Sequence, residues 1–289
     1  MQEFLHEAAH TLLHPFTETL KMAPILFLAY LFMEWLEQKE GSKIAENIKK
    51  IKKGGPLFGS LAGIIPQCGF SGAIAGMYAA GTVTAGTLLA VMLSTSDEML
   101  PVLVSARLSV GSIALILGLK FLIGIICGFV SDFIIRKKNA EQEEDIHAFC
   151  EREHCSCKDG LFVSALKHTA KILGIIFIVS VLLHIAVALI PEETLKAVLN
   201  FPVLSQIVAA LIGLIPSCAV SVTLTNLYVS GALGFSSLLV GLLTNGGVGL
   251  LVLFRVNESR KNSLFITALL FASGLIFGSV FGLLFEGIL

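Results

Sequence analysis

Two short elements that combine proline, cysteine and serine lie 150 positions apart in this 289-residue chain. The first reads Pro66-Gln67-Cys68-Gly69-Phe70-Ser71, and the second reads Pro216-Ser217-Cys218-Ala219-Val220-Ser221. Thiolates favour soft ions such as zinc, cadmium or trivalent arsenic, whereas manganese prefers carboxylate and carbonyl oxygens. Two thiols at one cavity, with Ser71 and Ser221 beside them, would therefore suit a thiophilic ion. The alternative is that both cysteines are small buried apolar residues.

Carboxylates follow the first element only. Asp97 and Glu98 come after Ser94-Thr95-Ser96, and the equivalent stretch of the second element is Thr244-Asn245-Gly246-Gly247. An ionisable group inside a membrane costs at least about 2.5 kcal/mol on insertion scales. Asp97 and Glu98 are therefore candidates for a cation or proton site, unless they cap a helix at the membrane surface.

Three further ionisable residues interrupt apolar runs. Glu34 and His184 are again 150 positions apart, and either could carry protons, since histidine titrates near neutral pH and a desolvated glutamate approaches it. Glu34 could instead sit at the membrane surface. For Lys120 we expect an amine that snorkels to the surface or pairs with Asp97.

A cluster of potential metal ligands lies in the polar segment 136–160. A flexible loop could fold these side chains around one tetrahedral, zinc-like ion. Their spacing does not match a zinc finger or ribbon, and an unstructured tether is the alternative. The ligands are His147, Cys150, His154, Cys155 and Cys157.

The two elements belong to a longer internal duplication. Residues 57–104 align without a gap on residues 207–254, and the matches include Tyr78 with Tyr228 and Gly81 with Gly231. Matches of proline, cysteine, tyrosine and glycine in one register are rare by chance, so we infer a repeat.

Composition places this repeat in a membrane. Hydrophobic residues make up 55% of the chain, charged residues 14%, and the mean hydropathy is +0.86. Runs near the roughly 20 residues that a spanning helix needs occur at residues 22–33, 110–133, 172–190 and 264–284. A net charge of −1 gives no indication of a nucleic-acid partner.

The lysine distribution predicts that the two halves insert in opposite orientations. The loop 37–55 carries six lysines, whereas its counterpart 191–206 carries one lysine and two glutamates. Lysine-rich loops stay in the cytoplasm, so equivalent loops should face opposite sides. Inverted repeats of this kind place a binding site near the midplane, where interrupted helices meet. Ten spans, or six spans with two re-entrant hairpins, satisfy this topology.

The interruptions define the expected substrate site. Proline removes a helical hydrogen bond, and free backbone at membrane depth is tolerated where it is buried or lines a wet cavity. We therefore predict an all-α membrane protein with a first repeat (1–135), a cytoplasmic linker (136–160) and an inverted second repeat (161–289). Its expected substrate-binding residues are Pro66, Gln67, Cys68, Ser71, Asp97, Glu98, Pro216, Ser217, Cys218, Ser221 and Asn245.

The twin Pro-x-Cys elements, the first helix ending Phe32-Met33-Glu34-Trp35-Leu36-Glu37 and the ligand-rich linker resemble the ten-transmembrane heavy-metal exporter family. The resemblance covers nearly the whole chain. It implies ten spans and export of a metal or metalloid, because members of the family are labelled arsenic efflux proteins or manganese transporters.

These observations predict a secondary transporter in the plasma membrane. The chain has no Gly-x-x-x-x-Gly-Lys-[Ser/Thr] phosphate loop, so the energy would come from an ion gradient, with Glu34, Asp97, Glu98 and His184 as proton-coupling candidates. We expect the bilayer and the transported ion as partners, no resident cofactor beyond the zinc-like ion in the linker, and no catalytic residue; a homo-oligomer is compatible with the sequence. The alternatives are a membrane metal sensor or scaffold that uses the linker, and an intramembrane enzyme.

Overall fold

The computed structural model describes residues 16–17, 19–20, 23–28, 31, 54–65, 69–96, 99–138, 161–188, 202–257 and 259–285. Within these residues the chain is helical and contains no β-strand, as predicted. The helices of the first half are α1 (Gly55–Gly63), α2 (Gly69–Ala79), α3 (Ala85–Ser94), α4 (Met99–Ser105) and α5 (Val110–Lys138). Those that follow are α6 (Leu161–Ala188), α7 (Pro202–Gly213), α8 (Cys218–Val229), α9 (Phe235–Thr244), α10 (Val248–Val256) and α11 (Arg260–Phe285).

Four segments of the described chain are long and apolar enough to cross a membrane: Ala85–Ser105, Val110–Ile135, Phe235–Val256 and Arg260–Phe285. The second and fourth include the runs predicted at residues 110–133 and 264–284. The first and third each contain two helices, α3 with α4 and α9 with α10. Val203–Gly213 and Ala219–Val229 are apolar but shorter.

The breaks predicted at the prolines and at the polar stretches are present in both halves. α1 ends at Gly63 before α2 begins at Gly69, and α7 ends at Gly213 before α8 begins at Cys218. The second pair of breaks separates α3 from α4 and α9 from α10. Gly247 supports the last of these with φ 53° and ψ −149°, a conformation that is essentially restricted to glycine.

Helices 150 positions apart make equivalent contacts. A Cβ on Gly128 of α5 would lie 2.9 Å from the Cβ of Ala90, and one on Gly278 of α11 would lie 2.8 Å from the Cα of Val240. Gly128 thus lets α5 approach α3, and Gly278 lets α11 approach α9. Small residues allow this kind of close helix packing in membranes. The correspondence follows the register of the sequence duplication.

The centre of the bundle is formed by α3 and α9, every residue of which is buried. Around them the two halves exchange contacts: α2 packs on α10, and α8 packs on α4. At the periphery, two ring contacts join the N-terminal segment to α6, with centroids 6.2 Å apart for Phe16 and Phe177 and 5.1 Å apart for Phe27 and Phe162. Since the earlier phenylalanine of this segment meets the later one of α6, the described residues of the segment run antiparallel to α6, its counterpart in the repeat.

Candidate functional site

The first half brings its two breaks together through Ser96. The main-chain N–H of Ser96 donates to the carbonyl of Gly63 over 3.2 Å, and its hydroxyl donates to the carbonyl of Ile64 over 2.6 Å. Ser96 is buried. The end of α3 is therefore fastened to the end of α1, so the two interruptions form one polar region inside the bundle.

The second half caps its first break with Ser217. The Ser217 hydroxyl accepts a hydrogen bond of 3.3 Å from the N–H of Ala219 and so caps α8. Its own N–H donates to the carbonyl of Ile215 over 2.7 Å. Pro216 is half-buried and Ser217 is buried, and Cys218 is the first residue of α8.

Asn245 shapes the second break of this half. Its side-chain Oδ1 accepts a hydrogen bond of 2.9 Å from the N–H of Gly247, and the residue is buried. Just before it, the Thr244 hydroxyl donates to the carbonyls of Val240 and Gly241, each over 3.1 Å. These bonds stabilise the end of α9 without extending the helix.

Ser71 and Ser221 lie on the helices that are exchanged between the halves. Ser71 is fully buried on α2 and contacts Gly249 of α10, which begins immediately after the second break of the other half. Ser221 is buried on α8, where its carbonyl accepts a 2.6 Å hydrogen bond from the Thr225 hydroxyl. The helix of Ser71, α2, packs on α10, and the helix of Ser221, α8, packs on α4. Both α10 and α4 follow the second break of the opposite half.

Lys120 links the halves from the middle of a span. It lies near the centre of the 26-residue segment Val110–Ile135 and is only 1% exposed. Its ammonium donates a hydrogen bond of 2.8 Å to the carbonyl of Leu242, in the last turn of α9. The expectation that Lys120 snorkels to the surface is wrong, because α5 presents this side chain to the interior rather than to lipid. Its pairing with Asp97 stays a prediction, since Asp97 lies outside the described residues.

The C-terminal ends of α3 and α9 have a partial charge that favours cations. The last carbonyls of a helix carry a partial negative charge, and in transporters the C-terminal ends of interrupted helices coordinate cations. α3 and α9 contact each other and both end at a break inside the bundle. Backbone carbonyls and the hydroxyls of Thr95, Ser96 and Thr244 surround these ends.

Several predicted site residues lie outside the described part of the chain. These are Glu34, Pro66, Gln67, Cys68, Asp97, Glu98 and the linker ligands His147, Cys150, His154, Cys155 and Cys157. His184 and Cys218 lie on α6 and α8, and their side chains are also outside the description. Among the described residues, no group of three His, Cys, Asp or Glu side chains could hold a metal.

Three residues that the sequence left out of the expected substrate site lie at the breaks or between the halves. Ser96 joins the breaks, Gly249 admits Ser71, and Lys120 reaches across to α9. A lysine in the middle of an apolar run was a usable signal, because such a residue is by default functional. The closeness of Gly249 to Ser71 depends on tertiary packing and had no local signal.

The chain matches a model of a known protein family. Residues 15–197, more than half of the chain, match the family described as "Putative, 10TM heavy-metal exporter". This range is shorter than the nearly full-length resemblance noted in the sequence. No curated protein and no solved structure matches the chain.

Proposed function

The chain belongs to the ten-transmembrane heavy-metal exporter family, and from this premise we propose that it is a secondary transporter that exports a metal or metalloid by alternating access. The family is one of multi-pass membrane transporters. The proposal adds the mechanism, the position of the site and the class of cargo.

The observation that carries the proposal is the meeting of interrupted helices from both halves inside the bundle. Lys120 of the first half bonds to the end of α9, and Ser71 of the first half contacts Gly249 at the start of α10. Interrupted helices at membrane depth are tolerated where they are buried or line a cavity. Transporters built from repeats use such places for substrate.

We place the two halves in opposite orientations across the bilayer. The antiparallel contacts of Phe16 and Phe27 with the repeat counterpart α6 support this arrangement, as does the unequal lysine content of the loops. In this topology ten spans follow from the family description. Rocking of one half against the other would expose the central site first to the cytoplasm and then to the outside.

The cargo site combines two kinds of ligand. Helix-end carbonyls, Ser71, Ser221 and Asn245 supply oxygen, and Cys68 and Cys218 supply thiols for a soft ion. Asp97 and Glu98 give up protons as the cation enters, and Glu34 and His184 relay protons. The linker ligands His147, Cys150, His154, Cys155 and Cys157 capture the ion on the cytoplasmic side before it reaches the site.

The test is transport by the purified full chain in liposomes. Mn²⁺, Zn²⁺, Cd²⁺ and arsenite are supplied separately with an imposed pH gradient, and the metal inside the liposomes is measured by mass spectrometry. We expect at least one ion to accumulate above protein-free liposomes, and we expect that accumulation to collapse when the gradient is removed. If no ion accumulates, the function is wrong; accumulation that ignores the gradient refutes the coupling alone.

Matched variants locate the site in the same assay. Cys68→Ser combined with Cys218→Ser should impair transport of a soft ion, whereas Cys127→Ser should not, because Cys127 is buried on α5 and belongs to neither Pro-x-Cys element. Asp97→Asn should impair gradient-driven transport. Its control is Asp132→Asn, since the Asp132 carboxylate accepts hydrogen bonds from Thr84 and Gly86 at the start of α3.

Deletion of residues 141–158 separates transport from sensing. A transporter should keep moving ions at saturating metal without this segment, although capture at low metal concentration should weaken. A membrane sensor or scaffold that works through the linker would lose its response altogether. Transport that vanishes at saturating metal, in a deletion variant that still folds, would favour the second class.

A further inference from the structure

We propose that Lys120 is an internal cation that occupies the cation position at the end of α9 until a divalent metal ion replaces it. This inference rests on the proposed transport function and adds a class of cargo to it. The ammonium and the metal would compete for the same carbonyl oxygen, that of Leu242. The lysine therefore sets the affinity of the site for the metal ion and helps to expel the ion.

The acceptor of Lys120 is a carbonyl that the helix break has left available. In a continuous helix, the N–H of residue 246 would donate to Leu242. Here the N–H of Gly246 donates to the carbonyl of Thr244 over 3.0 Å, and the N–H of Asn245 donates to Gly241 over 3.1 Å. The Leu242 carbonyl therefore belongs to the negative end of α9 and receives the Lys120 ammonium at 2.8 Å.

Helix packing alone does not require a lysine at this place. The counterpart of Lys120 in the second half is Leu270, which is fully buried and would lie 3.1 Å from a Cβ on Gly246. An apolar side chain thus packs against the break in one half, while the other half buries an ammonium there. Ionisable side chains within spanning segments are rare and mark ion pathways, which indicates a role beyond packing.

The repeat also relates the position of Lys120 to the breaks. Leu270 packs at Gly246, and the counterpart of Gly246 is Ser96, which fastens the two breaks of the first half. Position 120 is thus the first-half equivalent of a residue that packs at a break, while the Lys120 ammonium reaches α9 of the second half.

This placement selects among possible cargoes. Carbonyl oxygens are ligands for hard cations such as Mn²⁺. A tethered ammonium is a natural substitute for such a cation in the empty transporter, because it satisfies the carbonyl and keeps the site charged. A neutral metalloid such as arsenite has no charge with which to displace it.

The experiment measures Mn²⁺ binding to the detergent-purified full chain by isothermal titration calorimetry. The variants are Lys120→Met, which keeps the length and apolar stem without the charge, and Lys120→Gln, which keeps a donor toward the carbonyl. Lys120→Arg is the control that retains the charge. Since a like charge close to the metal is removed, we expect Mn²⁺ to bind about tenfold or more tightly to the uncharged variants, and Mn²⁺ transport in liposomes to slow.

Unchanged or weaker Mn²⁺ binding in Lys120→Met and Lys120→Gln would overturn the inference, as would tighter binding in Lys120→Arg. Failure of both uncharged variants to fold would also contradict it, because the ammonium would then be a structural cap. Wild-type protein in the same liposome assay keeps the two proposals apart. If wild type moves no ion at all, the transport function fails; if wild type transports and the variants bind Mn²⁺ as it does, only the role of Lys120 fails.

Discussion

Gly249 of α10 lies directly against Ser71 of α2. A Cβ placed on Gly249 would stand 2.8 Å from the Ser71 Cβ and 2.9 Å from the Ser71 carbonyl oxygen. The backbones of two helices from different halves are therefore in contact, which only a residue without a side chain allows. In a membrane, where lipid is as apolar as leucine, such close packing is a main source of helix association.

Substitution of this glycine should weaken the junction between the halves. Gly249→Ala forces a methyl group into the Ser71 backbone, and overpacking of this kind costs about 1–3 kcal/mol. We expect a lower midpoint of thermal unfolding in detergent, measured by the loss of the monodisperse peak in size-exclusion chromatography.

Gly118→Ala is the control for this substitution. A Cβ on Gly118 of α5 would meet no atom within 4 Å, and alanine is the better helix former by about 1 kcal/mol. Its unfolding midpoint should stay the same or rise. An equal loss of stability in both variants would show that the Gly249 contact does not hold the halves together.

The sequence predicted the breaks because their signals are local. Proline lacks the N–H that a continuous helix needs. The two equivalent polar stretches interrupt an apolar run whatever the tertiary fold is; they are Ser94-Thr95-Ser96 and Thr244-Asn245-Gly246-Gly247. The sequence did not predict which helices pack together, since the segments around α3 and α9 are apolar on every face and carry no directional pattern. The exchange of α2 and α8 between the halves therefore emerges only from tertiary packing.

Asp132 should contribute to stability rather than to ion selectivity. Its carboxylate accepts hydrogen bonds of 2.7 Å from the Thr84 hydroxyl and from the N–H of Gly86, and so caps the start of α3. Hydrogen bonds to a charged group contribute about 1.5–3 kcal/mol, so Asp132→Ala should lower the unfolding midpoint clearly. Asp132→Asn, which keeps an acceptor oxygen, should lower it less.

In the second half Gly282 occupies the position of Asp132 and packs against Ser236. The liposome assay provides the independent readout. A changed preference between Mn²⁺ and Cd²⁺ in Asp132→Asn, at unchanged stability, would show that this carboxylate belongs to the cargo path.

Ser60 of α1 should be replaceable by alanine. Its hydroxyl oxygen is fully buried and has no hydrogen-bond partner within the part of the chain that the structure describes. Leaving a buried polar atom unsatisfied costs about 1–3 kcal/mol, and the counterpart in the second half is the buried Ala210. Ser60→Ala should therefore leave the unfolding midpoint unchanged or raise it.

Ser96→Ala is the matched comparison, because the Ser96 hydroxyl bonds to the Ile64 carbonyl over 2.6 Å. Loss of that bond should destabilise the protein by about 1 kcal/mol. If Ser60→Ala destabilises as much as Ser96→Ala does, the Ser60 hydroxyl has a partner in the folded protein and this reading of it is wrong.

Lys120 shows where prediction from sequence needed the fold. A lysine on a long apolar helix can reach the surface with its stem buried, and the sequence does not say which face of α5 turns inward. Once α5 packs on α1 and α3, the side chain is enclosed and its ammonium has the carbonyl of Leu242 within reach. The face of the helix, rather than the residue type, decides between snorkelling and burial.

The shared pocket between the halves is tested most directly by cross-linking Cys68 to Cys218. The full chain with Cys127, Cys150, Cys155 and Cys157 replaced by serine keeps only these two thiols. It is treated with a short thiol-reactive cross-linker and analysed by intact-mass spectrometry. We predict a single linker that bridges both cysteines within one chain, and slower bridging when the transported ion is present; two separate single-ended adducts on each chain would contradict a common site formed by the two breaks.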